Sequence, residues 1–151
     1  MSEFLLRGYN VAIPEVDVGD DIYVVEDSNG NLRKVQVKYA KTTLRKLGFS
    51  ASVNVPIDQL RQPDEPVLTY VFAFRLEDGW EKLLIIRRQK LFELHQAMEV
   101  GNHSAGYPNV TFYFSYDRKR DILNCSKVNL SGYLNDWTDW PIIDHSRVAK
   151  Y

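Results

Sequence analysis

Hydrophobic and polar positions along this chain fall into short runs separated by turn residues, and most runs have the two-residue period of strands. Residues 2–7 carry Phe4, Leu5 and Leu6 ahead of Gly8 and read as the closing turns of a helix. Residues 9–13 (Y-N-V-A-I) alternate up to Pro14 and predict a strand. A second strand is expected over 22–26 (I-Y-V-V-E), and the Asn-Gly pair in D-S-N-G-N at 27–31 signals a tight hairpin turn into a third strand over 32–40. From Thr42 through Gly48 the text reads as helical or irregular, and 57–60 as one short turn before the Q-P-D-E-P loop at 62–66. Residues 67–76 (V-L-T-Y-V-F-A-F-R-L) form the longest continuous apolar run; rich in β-branched and aromatic residues, they predict a central strand buried on both faces.

A turn at E-D-G-W (77–80) leads into a strand over 82–87, and Leu91, Phe92, Leu94, Ala97 and Met98 at helical spacing predict a helix over 89–100 that Gly101 ends. Residues 110–116 (V-T-F-Y-F-S-Y) read as a further strand, 117–121 (D-R-K-R-D) as a charged turn and 133–140 as an aromatic patch whose expected role is packing. No internal repeat or linker divides the chain, which predicts one domain over 1–151, with a core in 1–100 and a C-terminal extension in 101–151.

Composition narrows the function classes. A 151-residue chain that is 44% hydrophobic and 26% charged suits one globular domain, and nine Tyr, seven Phe and three Trp supply large side chains for its core. Nineteen Lys and Arg against twenty Asp and Glu leave a formal charge of -1, so attraction to a polyanion has to be local. The apolar runs fall short of the roughly 18 residues of a bilayer span, and no basic-then-apolar leader opens the chain; no membrane partner and a reducing cytoplasm are expected. The single Cys125 makes no internal disulfide and no multi-thiolate zinc site, and His95, His103 and His145 lack metal-ligand spacing. Neither a Walker loop, a Rossmann glycine fingerprint nor a Gly-x-Ser-x-Gly elbow is present.

The near-zero net charge hides a sharp split. Glu15, Asp17, Asp20, Asp21, Glu26 and Asp27 crowd a segment without a base, and Arg33, Lys34, Lys38, Lys41, Arg45 and Lys46 follow in a segment without an acid. Hard divalent cations and phosphates each find a partner there. Strand alternation sets Gln36 and Lys38 on one face and points Val35 and Val37 into the core, while a hairpin centred on Asn29 and Gly30 brings Asp21 toward Gln36 and Lys38. In such a site Asp21 supplies a charged oxygen, Gln36 an amide oxygen and Val37 its backbone carbonyl to Mg²⁺, and Lys38 orients or deprotonates the attacking water. Lys41, Arg45 and Lys46, directly beyond, are the candidate phosphate contacts.

The runs L-L-R-G-Y-N-V-A-I-P (5–14), D-I-Y-V-V-E (21–26) and V-Q-V-K-Y-A (35–40) resemble the PD-(D/E)xK nuclease superfamily. The Gln at the second position is similar to the variant in small group I intron-encoded homing endonucleases. The motif resemblance covers about residues 3–40. It implies a restriction-endonuclease-like α/β fold, with a central mixed sheet of four or more strands flanked by helices and a C-terminal strand and aromatic extension. It also implies Mg²⁺-dependent hydrolysis of double-stranded DNA, with the family's metal aspartate on Asp21, its second ligand on Gln36 and its lysine on Lys38. A dimer or tetramer follows from the resemblance, because cutting two strands at one site takes two active sites. Two positions depart from the family pattern. Its Pro-Asp pair reads Asp20-Asp21, and the glutamate of its first helix, about ten residues ahead of the Gly-Tyr pair, falls before Met1, with Glu3 too near Gly8 to match it. These departures leave open a second reading, a catalytically inactive module that keeps the fold and binds nucleic acid or protein.

Overall fold

Phe4 is buried by the short helix α1 (Ser2–Leu6), and Gly8, with φ 86°, takes the left-handed turn that leads into β1 (Asn10–Ala12). The computed structural model describes residues 1–15, 21–26, 29–76 and 79–144. Asp17, Asp20, Asp27 and His145, and the first two residues of the expected turns at 27–31 and 77–80, lie outside the described residues.

β2 (Ile22–Glu26) has the expected bounds and pairs antiparallel with β3 (Asn31–Arg45) from Ile22↔Val35 to Glu26↔Asn31. Gly30 closes their connection by donating its N–H to the Glu26 carbonyl at 2.8 Å with φ 70°. β3 runs on to Arg45, and the segment expected to be helical or irregular is its continuation plus a turn at Lys46 and Leu47 into β4 (Gly48–Pro56). Two-residue periodicity explains the difference: Phe49, Ala51, Val53 and Val55 are buried, and Ser52, Asn54 and Pro56 between them are exposed. Gly48 is required where β4 passes β7, since a Cβ there would lie 1.8 Å from the Tyr116 carbonyl oxygen.

The expected short turn is α2 (Ile57–Arg61), which buries Ile57 and Leu60. The long apolar run is β5 (Leu68–Leu76), buried at every position except Arg75, as expected of a central strand. It lies between β3, to which it is parallel from Lys34↔Leu68 to Lys41↔Arg75, and β6 (Gly79–Arg87), to which it is antiparallel. α3 (Arg88–Gln96) stops short of the expected end near Gly101. Met98 adopts φ 59° and is 93% exposed, so it belongs to the exit from the helix and not to an apolar stripe.

β7 (Asn109–Asp117) matches the expected strand, and β8 (Ile122–Cys125) and β9 (Val128–Asn129) follow as a small hairpin that the sequence did not announce. The protein is thus mixed α/β, with a large and mainly antiparallel sheet and a few short helices. The sheet has two sections that share β3, one in the order β1-β2-β3-β5-β6 and the other in the order β3-β4-β7-β8-β9. Phe49, Phe72, Phe74, Phe112 and Phe114, from β4, β5 and β7, pack into the larger core between them. Phe4, Tyr9, Val24, Val35, Val71 and Trp140 form a smaller core on the other face of the first section. There Trp140 sits edge-on to Phe4 at 4.8 Å and to Tyr9 at 5.6 Å, the packing role expected of the aromatic patch. Among the described residues no helix is long and apolar enough to cross a membrane.

Candidate active site

A break in strand pairing defines the site. Among the described residues β2 pairs with β3 no further than Val35 and β4 joins only at Thr42, so over residues 36–41 the described strand partner of β3 is β5. Peptide groups of successive strand residues turn to alternate edges. Lys34 gives its N–H to Val67 beside β5, and the Val35 carbonyl accepts the Asp21 N–H at 3.2 Å on the other edge. Val37 turns the same way as Val35, and among the described residues it meets no strand on that edge. Its N–H donates to Oδ2 of Asp21 at 2.6 Å, so an aspartate side chain stands in for the missing strand residue.

Asp21 directly precedes Ile22, the last residue of the register with Val35, and its bonds to the Val35 carbonyl and the Val37 N–H span Gln36. Gln36 is 3% exposed, and its Oε1 is buried without a hydrogen-bond partner. An unpaired buried carbonyl costs about 1 to 3 kcal/mol, which marks the position as one that packing alone does not justify. Lys38 is half-buried and, by strand alternation, on the face of β3 that carries Gln36, as expected. Val35 is fully buried, as expected, but Val37 is 39% exposed. Its side chain lines a depression of about 440 Å³ with Glu3, Phe4 and Trp137. Glu3 therefore lies on the Val37 side of the sheet, away from Gln36 and Lys38.

The candidate phosphate contacts are distributed differently from expectation. Because β3 is unbroken, alternation puts Lys41 and Arg45 on the face opposite Lys38, and Lys46 lies in the following turn. All three are exposed, and Arg45 Nε donates to Ser50 Oγ at 2.9 Å. Arg75 stands beside Lys41 in the parallel pairing, in a groove that Tyr39 also lines. The signal for it was present as the one charged residue in the apolar 67–76 run.

The structure thus bonds Asp21 to the Val37 peptide, flanked along β3 by Gln36 and Lys38 on its other face, and alternation sets Lys41 and Arg45 on the face opposite Lys38. The donors of Asp21, Gln36 and Val37 toward a cation are oxygens only: one carboxylate, one amide carbonyl and one peptide carbonyl, a set suited to Mg²⁺ more than to softer metals. Among the described residues no three His, Cys, Asp or Glu side chains converge. His95 and His103 are each held at one ring nitrogen by a backbone carbonyl, those of Val100 and Tyr107. Comparison with known proteins returns no matching family profile, no similar curated protein and no similar solved structure.

Proposed function

We propose that this chain is a Mg²⁺-dependent endodeoxyribonuclease of the PD-(D/E)xK kind, hydrolysing phosphodiester bonds in double-stranded DNA on a restriction-endonuclease-like fold. The observation that carries the reading is the 2.6 Å bond from Val37 N–H to Asp21, which pins a carboxylate against the strand residue between Gln36 and Lys38. The order of elements supports it too. A helix and three antiparallel strands precede a crossover through β4 and α2 to β5, which returns parallel to β3.

The unpartnered buried Oε1 of Gln36 fits a cation ligand, and Asp21 and the Val37 carbonyl complete the protein's share of the donors. When bound, Mg²⁺ supplies charge neutralisation at the scissile phosphate and acidification of water. The Val37 N–H holds the Asp21 carboxylate before substrate arrives, so no reorganisation of that group is needed during the reaction. Lys38 orients the attacking water by hydrogen bonding or takes its proton. Cutting both strands takes two such sites, which is the ground for proposing a dimer or tetramer. A homing or restriction role, in the cytoplasm, is the corresponding setting.

The test is nicking of supercoiled plasmid with and without Mg²⁺ by the wild type, Lys38→Ala and Asp21→Asn. Cleavage that needs the metal and falls by about 100-fold or more in both variants is the expected outcome. Cleavage that persists in EDTA overturns the metal dependence, and a wild type that cleaves under none of the divalent metals tested overturns the nuclease itself. The second reading, a catalytically inactive module for nucleic acid or protein, then stands. It is favoured by the single carboxylate that the described residues bring to the site.

A further inference from the structure

The turn between β3 and β4 and the turn between β7 and β8 are far apart in sequence and adjacent in space. Gly48 pairs with Asp117 at the end of the β4–β7 ladder, and Arg118 N–H donates to the Leu47 carbonyl at 2.8 Å. One corner of the second sheet section therefore carries Arg45, Lys46, Arg118, Lys119 and Arg120, all exposed. Among the described residues two carboxylates share the corner, and both are engaged. Asp117 Oδ1 accepts the N–H groups of Lys119 at 2.9 Å and Arg120 at 3.3 Å within its own turn. Asp121 accepts the Tyr116 hydroxyl at 2.5 Å and pairs with Lys82 at 3.1 Å. Among the described residues Arg45, Lys46, Lys119 and Arg120 against two occupied carboxylates make a local positive field on a chain whose formal net charge is -1.

The sheet surface leading from this corner does not oppose that field. By alternation Ser50 and Ser52 of β4 and Tyr113 and Ser115 of β7 point away from the larger core, a row of uncharged hydroxyl groups with no element packed over it among the described residues. Such groups hydrogen-bond phosphate and sugar oxygens without charge repulsion. Arg45 follows Lys38 by seven strand positions, a separation of at most about 23 Å, less than one duplex turn of about 34 Å.

We propose that the paired turns form a clamp for the phosphate backbone of duplex DNA, with Arg45, Lys46, Lys119 and Arg120 as phosphate contacts. The clamp rests on the nuclease reading for the identity of its polyanion, but its geometry is independent of Asp21 and Lys38. It unites two basic segments that sequence reading treats separately, and it leaves base recognition to other residues.

The experiment measures binding of a fluorescein-labelled duplex by anisotropy over a series of salt concentrations, in EDTA, alongside plasmid nicking in Mg²⁺. The variants are Arg45→Gln/Lys46→Gln/Lys119→Gln/Arg120→Gln, the smaller Lys119→Gln/Arg120→Gln, and a control, Arg61→Gln/Lys90→Gln. Arg61 and Lys90 are exposed cations on α2 and α3, and α2 follows β4 at the end away from Gly48. The quadruple variant is expected to bind on the order of 100-fold more weakly at low salt, and its log K against log salt slope to flatten by roughly 3 to 4. The double variant loses about half of that slope change and the control none; because neither Lys119 nor Arg120 is bonded through its side chain to another described residue, the double variant remains informative if the quadruple one is unstable. A wild type that cleaves DNA while the corner variants bind with unchanged affinity and slope overturns the clamp and leaves the nuclease reading in place. Corner-dependent binding by a wild type that never cleaves supports the clamp and overturns the nuclease. A wild type that neither binds nor cleaves duplex overturns both.

Discussion

Asp21 and Val37 are joined by a hydrogen bond in which the carboxylate takes the place of a strand residue, 2.6 Å from the peptide nitrogen. Asp21 is exposed and its bond to Val37 N–H is exposed with it, so water can replace the bond at modest cost. Asp21→Asn keeps an acceptor oxygen and loses the charge. It is expected to change unfolding stability by less than about 1 kcal/mol, read from urea denaturation, while Mg²⁺-dependent nicking collapses. Equal activity in this variant and the wild type removes Asp21 from the chemistry.

Gln36 separates stability from function more sharply. Its Oε1 is buried and unpartnered, so Gln36→Leu removes a desolvated polar atom and fills a similar volume. Stability without metal is expected to rise by about 1 to 3 kcal/mol, raising Tm by several degrees for a chain of this size, and cleavage to disappear. A loss of stability on this substitution means that the amide has a structural partner after all.

The pH dependence of stability has two limbs with separate causes. On the acid side, hydrogen bonds from the Tyr116 hydroxyl and Lys82 hold the Asp121 carboxyl below its ordinary value of 3.8. A lowered carboxyl favours the folded state above pH 3.8, and that contribution is lost as pH falls through the folded value, so Asp121→Asn flattens the limb below about pH 4.

On the alkaline side, burial pushes the Cys125 thiol from 9.0 to about 11, and burial together with the Asp121 hydrogen bond raises the Tyr116 hydroxyl above 10.0. A raised group contributes fully below its unfolded value and loses that contribution as pH rises through the folded one. Stability should therefore decline between pH 9 and about 11, by about 2 to 3 kcal/mol for the thiol alone. Urea midpoints of the wild type and Cys125→Ala across pH 8 to about 11 check this, and parallel curves for the two proteins exclude the thiol as the cause.

Trp140 closes the smaller core over α1 and β1, with its ring against Phe4 and Tyr9. Trp140→Ala is expected to cost about 3 to 5 kcal/mol and Trp140→Phe appreciably less, measured as shifts of the urea midpoint at unchanged slope. A near-neutral Trp140→Ala places the weight of this core elsewhere.

Much of the first sheet section is readable from local pattern. The β-branched run at 22–26 has the bounds of β2, and 67–76 is too apolar and too aromatic to lie anywhere but between two strands, as β5 does. The candidate site was legible to the same degree, because Gln36 and Lys38 share a face wherever their segment is extended. The second section was harder to read. F-S-A-S-V-N-V carries a clear alternation, but the basic K-T-T-L-R-K run before it obscured the continuity of β3 into a hairpin. β8 and β9, four and two residues long, have no signal of their own and exist by pairing beside β7.

Covalent geometry alone determined which side chains of a strand travel together, since the two-residue period is a property of the extended backbone. It therefore assigned Gln36 to the side of Lys38 and Val35 to the opposite one. Pairing between distant segments decided everything that depends on where one strand stops beside another. β2 begins at Ile22, opposite Val35, and the Val37 N–H goes to the Asp21 side chain; β4 meets β7, so Leu47 touches Arg118 and two basic turns become one surface. Such contacts form only when the burial of Phe49, Phe72 and Phe114 between the sheet sections offsets the entropy of closing long loops, and no short window of sequence records that balance.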